Sequence, residues 1–322
     1  MLKINIIDAG HGDCILLDFD HSKILIDCGP KSFKIRRSVL ANIENIIGEN
    51  GVIDIAIVTH NDDDHIGGFE FLLDTSIKIK TIIFNSLLDI PDIVRNTQKQ
   101  ISYSQDNALR QKLLEEKGIN VQSLIRDDRP LIYHDIKLTA ITPTVEAIER
   151  MINDFTAREE RQRRQKQISS SKTEDISLRV ALQKILSNQD VFTKDTSITN
   201  KSSIGLVIEY RTFSGLFLGD AHVDDVIDGL NLAGFGNHQF DVVKLSHHGS
   251  ERNTNSELLR LIGKTEYILC SNNEKHNHPN NMTLARILSF DNSPMIHLSS
   301  DNASLSTKIS ECKKLNFNIR VC

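Results

Sequence analysis

The sequence predicts a mixed α/β layered fold in which two sheets pack face to face. Three observations carry that prediction. Short apolar runs of strand character recur in both halves of the chain, first over residues 2–84 and again from residue 203 onward. Helical periods separate several of these runs, as at residues 34–50, where Gly48 and Gly51 mark the end. Between the halves, residues 144–195 are polar, helical in period and free of glycine.

The elements follow in order. Residues 2–8 alternate apolar and polar and reach the turn Ala9-Gly10-His11-Gly12-Asp13. Residues 14–19 and 23–27 read as two further strands joined by tight turns. Residues 53–59 form a buried-type strand that stops at His60. Gly67-Gly68 opens a short helix over 69–74, and 78–84 is again strand-like. A helix over 104–117 ends at Gly118, and 119–124 and 136–141 read as strands. Within 144–195 one helix, a flexible link at Ser169-Ser170-Ser171 and a second helix at about 175–187 make a helical insertion on a β-rich scaffold. Strands resume at 203–210, 214–218, 241–245, 267–270 and 295–298. The whole, 1–322, reads as a single domain with 144–195 inserted in it.

Composition narrows the function. The chain has 322 residues, 39% hydrophobic and 25% charged, which is an ordinary globular balance rather than a disordered one. Its formal net charge is −5, so any contact with nucleic acid needs a local basic patch. Trp is absent and aromatics are 5%, which argues against a base-stacking platform. No apolar run reaches the roughly 18 residues of a membrane span, and no signal-like segment opens the chain, so a cytoplasmic protein is expected. The five cysteines show no CxxC pairing and read as reduced thiols.

The segment Thr59-His60-Asn61-Asp62-Asp63-Asp64-His65-Ile66-Gly67-Gly68 is the strongest chemical signal. A buried strand ends there, and ligand-grade side chains arrive within six residues. Continued extension would place His60, Asp62 and Asp64 on one face, with His65 adjacent. Clustered carboxylates and imidazoles at a strand end are costly unless a cation neutralises them, and this donor set suits Zn²⁺ or Mn²⁺. The competing reading is a solvated acidic loop. Two later strands end alike, on Gly219-Asp220 and on Ser246-His247-His248-Gly249. Taken alone, Asp220 fits a turn and His247-His248 a surface pair; delivered together, they fit a shared centre.

These motifs resemble those of the metallo-β-lactamase superfamily, and within it the soluble hydrolase domain of the ComEC/Rec2 competence proteins. The likeness rests on Asp8-Ala9-Gly10-His11-Gly12-Asp13, Ile24-Leu25-Ile26-Asp27-Cys28-Gly29, Thr59-His60-x-Asp62-x-Asp64-His65-x-Gly67-Gly68, Asn200-x-x-Ser203, Leu218-Gly219-Asp220-Ala221, Lys244-x-x-His247-His248-Gly249-Ser250 and His278-Pro279. It implies a four-layered αββα fold with two metal ions at the sheet edges. It also implies that His60 and Asp62 bind one ion, that Asp64, His65 and His248 bind the other, and that Asp220 bridges. His247 would then stand behind a ligand or contact substrate. The superfamily's middle histidine has no match; Asn200 and Ser203 lie nearest its place, and His278 is one residue that could supply the missing ligand.

A hydroxide formed from a bridging water would be the nucleophile. Asp64 would orient it, and Asp13 and Asp27 either orient imidazoles or cap turns. His278 would donate a proton to the leaving group or bind a phosphate oxygen. The resemblance further implies phosphodiester substrates, DNA first, and a partner such as an ATPase met through 144–195 in defence against phage. A small-molecule phosphodiesterase or phosphocholine-type esterase, or a partner-binding module that has lost catalysis, are the alternatives. The tract 158–172 holds six Lys/Arg against two Glu, which fits phosphate contacts or a solvated helix with ion pairs.

Overall fold

A computed structural model describes residues 2–86, 104–116, 118–162 and 175–322. Among these, two sheets form. The first runs β1 (Lys3–Ile6), β2 (Ile15–Asp18), β3 (Lys23–Ile26), β4 (Val52–Val58), β5 (Lys78–Phe84) and β6 (Asn120–Gln122) in that spatial order. Its first three strands are antiparallel, and β3 to β6 are parallel. The second sheet runs β7 (Leu131–Tyr133), β8 (Ile136–Thr142), β9 (Gly205–Tyr210), β10 (Phe213–Phe217), β11 (Val242–Lys244), β12 (Glu266–Leu269), β13 (Met295–Leu298) and β14 (Asn318–Val321). It too begins as an antiparallel meander and becomes parallel from β10 onward.

Alternation along the strands sorts side chains into layers. Ile15, Leu17, Ile24, Ile26, Ile55 and Ile57 of the first sheet meet Leu138, Leu206, Ile208 and Phe217 of the second in one apolar layer between the sheets. The opposite faces are covered by helices. Leu16, Leu25, Ala56 and Val58 pack on Val39 and Ile43 of helix Phe33–Ile47 and on Phe69. Val207, Leu216 and Val243 pack on Val226 and Leu230 of helix Val223–Leu232 and on Leu258 and Leu259 of helix Ser256–Ile262. The result is the αββα stack. β4 is buried along nearly its whole length, as expected of a parallel strand covered on both faces.

Segment 144–195 joins β8 to β9, which are antiparallel neighbours with Thr142 opposite Gly205. Its described ends, helix Val145–Gln162 and helix Leu178–Leu186, are anchored rather than loose: Ala147, Ile148 and Met151 are buried, and Leu178 and Ala181 enter the outer core. Most of the basic tract at 158–172 lies outside the described residues.

Two departures from the sequence reading concern local structure. β7 and β14 were not expected, because three- or four-residue edge strands with partly exposed side chains carry little periodic signal. More consequentially, the chain does not continue extended past His60. Asp62 takes an extended N-cap conformation and Asp63–Ile66 form one helical turn, so the ligand-grade residues do not alternate along a strand. His65 N and Ile66 N both bond to Asp62 O, which closes that turn.

Candidate metal centre

The candidate residues gather where parallel strands end, which is where open α/β sheets place their sites. β3 ends before Asp27, β4 before Thr59-His60, β10 before Gly219-Asp220 and β11 before Ser246-His248. The turn carrying Asp13 is pressed onto the Asp63–Ile66 turn, with Asp13 N bonding Asp64 O at 3.2 Å. Gly12 is required there, since a Cβ would stand 2.1 Å from the Asp64 carbonyl oxygen.

Asp220 is the hub. Its Oδ1 lies 3.4 Å from His65 Nε2, and its Oδ2 lies 3.8 Å from the Nε2 atoms of His60, His247 and His248. Asp64 Oδ2 is 3.3 Å from His248 Nε2, and Asp62 Oδ2 is 3.7 Å from His60 Nε2. The structure therefore brings His60, Asp62, Asp64, His65, Asp220, His247 and His248 into one place. His278 joins them, with its ring centroid 5.0 Å from that of His247 and 6.1 Å from that of His248. The cavity over them is about 240 Å³ and is also bordered by His11, Lys275 and His276.

The network behind the rings fixes their tautomers. His65 Nδ1 donates to Asp27 Oδ2 at 2.7 Å, and His248 Nδ1 lies 3.0 Å from Asp13 Oδ1 and 2.9 Å from Cys270 O. Thr59 Oγ1 gives its proton to Asp27 Oδ2 at 2.7 Å and is left to accept from His60 Nδ1 at 3.1 Å. On each of these rings Nε2 is thereby the nitrogen that faces inward and is left for a cation to take. His60 Nε2, His65 Nε2, His248 Nε2 and Asp220 Oδ1 are all buried without a hydrogen-bond partner. Four such atoms converging beside carboxylates carry a large cost unless a cation accepts them. The donor set thus fits a divalent metal, and imidazole with carboxylate is the mixture that zinc and manganese accept.

Asp13, His65, Asp220 and His248 offer ligand atoms within 4.8 Å of one another. Asp13 nevertheless belongs behind the ligands. It forms an ion pair with the buried Lys244 ammonium, which would repel a neighbouring cation, and its other oxygen serves His248 Nδ1. Asp13 and Asp27 therefore orient imidazoles rather than cap turns.

The electrostatics agree with a cation site. Burial pulls the His248 imidazole down, but Asp220 and Asp13 outweigh it and raise it to about 10. His65 is lifted well above the ordinary imidazole range in the same way, against burial, by Asp220, Asp27 and Asp13. Burial pushes the Asp220 carboxyl up, but His65, His248 and His247 hold it well below the usual range. A field that draws protons onto imidazoles draws a metal cation equally. His278 goes the other way: burial first, then the neighbouring imidazoles, hold it well below the ordinary imidazole range.

Three residues were missed by sequence reasoning. Lys244 appeared only as a motif member; it is 1% exposed and also donates to Gly219 O at 2.8 Å. Asp195 and Asn253 sit behind His247, with Asp195 Oδ2 3.4 Å and Asn253 Oδ1 3.2 Å from its Nδ1. An ordinary turn-type Asp and Asn give no signal of their own; only proximity reveals them. Asn200 and Ser203 also stand behind rings, Asn200 Nδ2 at 3.2 Å from His247 Nδ1 and Ser203 Oγ at 3.4 Å from His60 Nδ1.

Residues 7–83 match the family model of the metallo-beta-lactamase superfamily. The chain is 24% identical over 298 residues to ComE operon protein 3 of Bacillus subtilis (strain 168), an alignment covering 88% of this chain and 30% of that protein. The chain therefore spans about 30% of that relative's length. Among solved structures, the metallo-beta-lactamase fold protein YhfI from Bacillus subtilis aligns with 11% identity and a TM-score of 0.47, covering 100% of this chain and 95% of that one. Tm1679, a metal-dependent hydrolase of the beta-lactamase superfamily, aligns with 14% identity and a TM-score of 0.49, covering 92% and 96%. No described helix is long and apolar enough to cross a membrane. The matched stretch begins at Ile7 and takes in the whole His60–Gly68 motif, so this part of the chain is similar to the metallo-beta-lactamase superfamily, and most of the chain is similar to a segment of ComE operon protein 3.

Proposed function

We propose that this chain hydrolyses phosphodiester bonds, with DNA as the preferred substrate class. The observation that carries the reading is the pairing of two chemistries in one small cavity. Its floor is the Asp220-centred cluster of imidazoles and carboxylates, and its rim holds the Lys275 ammonium and the His11 and His276 rings. In this reading His60 and Asp62 hold one divalent ion, Asp64, His65 and His248 hold a second, and Asp220 is shared. Zn²⁺ or Mn²⁺ bound there supplies Lewis acidity for activating water and neutralising phosphoryl charge. The chain's own residues do the rest. Asp13 and Asp27 hold His248 and His65 in the tautomer that leaves Nε2 free. Lys275 meets a phosphate oxygen at the rim. His278 binds a phosphate oxygen or gives a proton to the leaving group.

The test is a hydrolysis screen with added Zn²⁺ or Mn²⁺ on plasmid, single-stranded DNA and bis-p-nitrophenyl phosphate, comparing the wild type with Asp64→Asn. Metal-dependent cleavage that Asp64→Asn lowers by 100-fold or more, roughly the size of losing one precisely placed charge, supports the proposal. Absence of cleavage on all three with either metal refutes it. The cavity of about 240 Å³ favours a second reading, a small-molecule phosphodiesterase or phosphocholine-type esterase. That reading predicts a KM insensitive to salt, whereas DNA binding weakens steeply as salt rises. A partner protein, such as an ATPase, would meet the chain through 144–195.

A further inference from the structure

We propose that His247 is the third protein ligand on the His60–Asp62 side of the centre, and that Asp195 is the positioning residue that holds it there. This rests on the metal-centre half of the function proposed above and not on the substrate half.

The resemblance supplies no histidine for this position, and the two residues nearest the gap do not fill it. Ser203 Oγ stands 3.4 Å from His60 Nδ1, on the side of the ring away from the cluster, and accepts the Asp220 N–H at 3.0 Å. Asn200 donates to Asp195 Oδ2 at 2.7 Å and lies beside His247 Nδ1. Both are supports. His247 itself is placed as a ligand would be. Its Nε2 lies 3.8 Å from Asp220 Oδ2, the same distance as those of His60 and His248. Two donors about 2.1 Å from one tetrahedral ion stand about 3.4 Å apart, and the 3.8 Å at His247 is near that separation.

A second, independent observation concerns the far nitrogen. A metal-binding imidazole characteristically has its other nitrogen backed by a carboxylate. His65 has Asp27 and His248 has Asp13. His247 has Asp195, at 3.4 Å and with its side chain 7% exposed. Asp195 is itself fixed by the Ser197 N–H, Asn200 and Asn253, at 2.9, 2.7 and 3.1 Å. So much scaffolding is unneeded for a ring that only brushes substrate.

The backbone makes the third argument. Neighbouring residues in extended chain point to opposite sides. Here His247 (φ 50°, ψ 50°) and His248 (φ 56°, ψ 24°) are both left-handed, and both rings face Asp220. Left-handed geometry is unfavourable for residues with a Cβ and persists where surroundings impose it. Its effect here is to turn two successive side chains toward one carboxylate. Because Asp195 closes the segment between β8 and β9, that segment becomes part of the metal centre.

The test reads metal, not turnover. Wild-type protein, His247→Ala and Asp195→Asn are dialysed against zinc and their content and affinities measured by elemental analysis and competition titration, with far-UV circular dichroism as the check on folding. Expected are two equivalents in the wild type, one in His247→Ala, and two in Asp195→Asn with one of them weakened about 10–100-fold. If His247→Ala does not fold, His247→Asn replaces it with the same expectation. Fewer than two equivalents in the wild type, or two unchanged affinities in either variant, overturns the proposal. A wild type that binds two ions yet cleaves no phosphodiester would refute the substrate reading and leave this one standing.

Discussion

Replacing Lys244 with Met tests the support of the centre without touching an inward-facing atom. Lys244 is 1% exposed, pairs with Asp13 and donates to Gly219 O at 2.8 Å. Met has similar length and no charge, so the substitution leaves the Asp13 carboxylate buried without its cation and the Gly219 carbonyl without its donor. Breaking one side of a buried pair costs about 3–5 kcal/mol. For a domain of this size that is a fall in Tm of roughly 4–7 °C. The chain has no Trp, so calorimetry or far-UV circular dichroism is the suitable probe. The pH dependence gives a second reading. Burial pushes the Asp13 carboxyl up, but Lys244, then His248 and His65, outweigh it and hold it at about 2. A carboxyl depressed on folding contributes stability that is complete above pH ~4 and is lost as the pH falls through its folded value. In Lys244→Met the main attraction is gone, so that loss begins at higher pH. In a double-mutant cycle, Lys244→Met with Asp13→Asn should cost less than the sum of the single changes. A Lys244→Met protein that melts with the wild type and shows the same acid limb refutes the account.

Two further outcomes follow from other parts of the structure. Arg286 is 2% exposed, forks onto both oxygens of Asp190 at 2.8 Å and donates to the carbonyls of Glu251 and Thr254, so Arg286→Lys should lose about 2–3 kcal/mol in urea unfolding; an unchanged midpoint would contradict the fork's role. Zinc at about 100 times its Kd should stabilise the wild type by about 2.7 kcal/mol for each site filled and raise its Tm, and Asp220→Ala should abolish most of that gain; a metal-independent Tm in the wild type would mean that the converging Nε2 atoms hold no ion.

Much of the site was legible because its strongest signals are local. A buried strand that ends on His60 and is followed within five residues by Asp62, Asp64 and His65 is written in consecutive letters. The same holds for Gly219-Asp220 and His247-His248, each at the end of an apolar run. Local geometry was harder. The extended and helical paths from His60 to His65 carry the same letters, and the helical turn wins because Asp62 O receives the amides of His65 and Ile66.

The amino-acid sequence by itself determined the alternation that builds two sheets, the apolar faces that stack them between helices, and the places where strands deliver ligand-type residues. Which residues stand behind them was set by contacts between distant parts of the chain. Asp13 reaches His248 across 235 positions, Asp27 reaches His65 across 38, and Asn253 Nδ2 reaches Asp195 across 58. The physical reason is that a hydrogen bond depends on distance in space, and an Asp that orients an imidazole has the same local sequence as one that caps a turn.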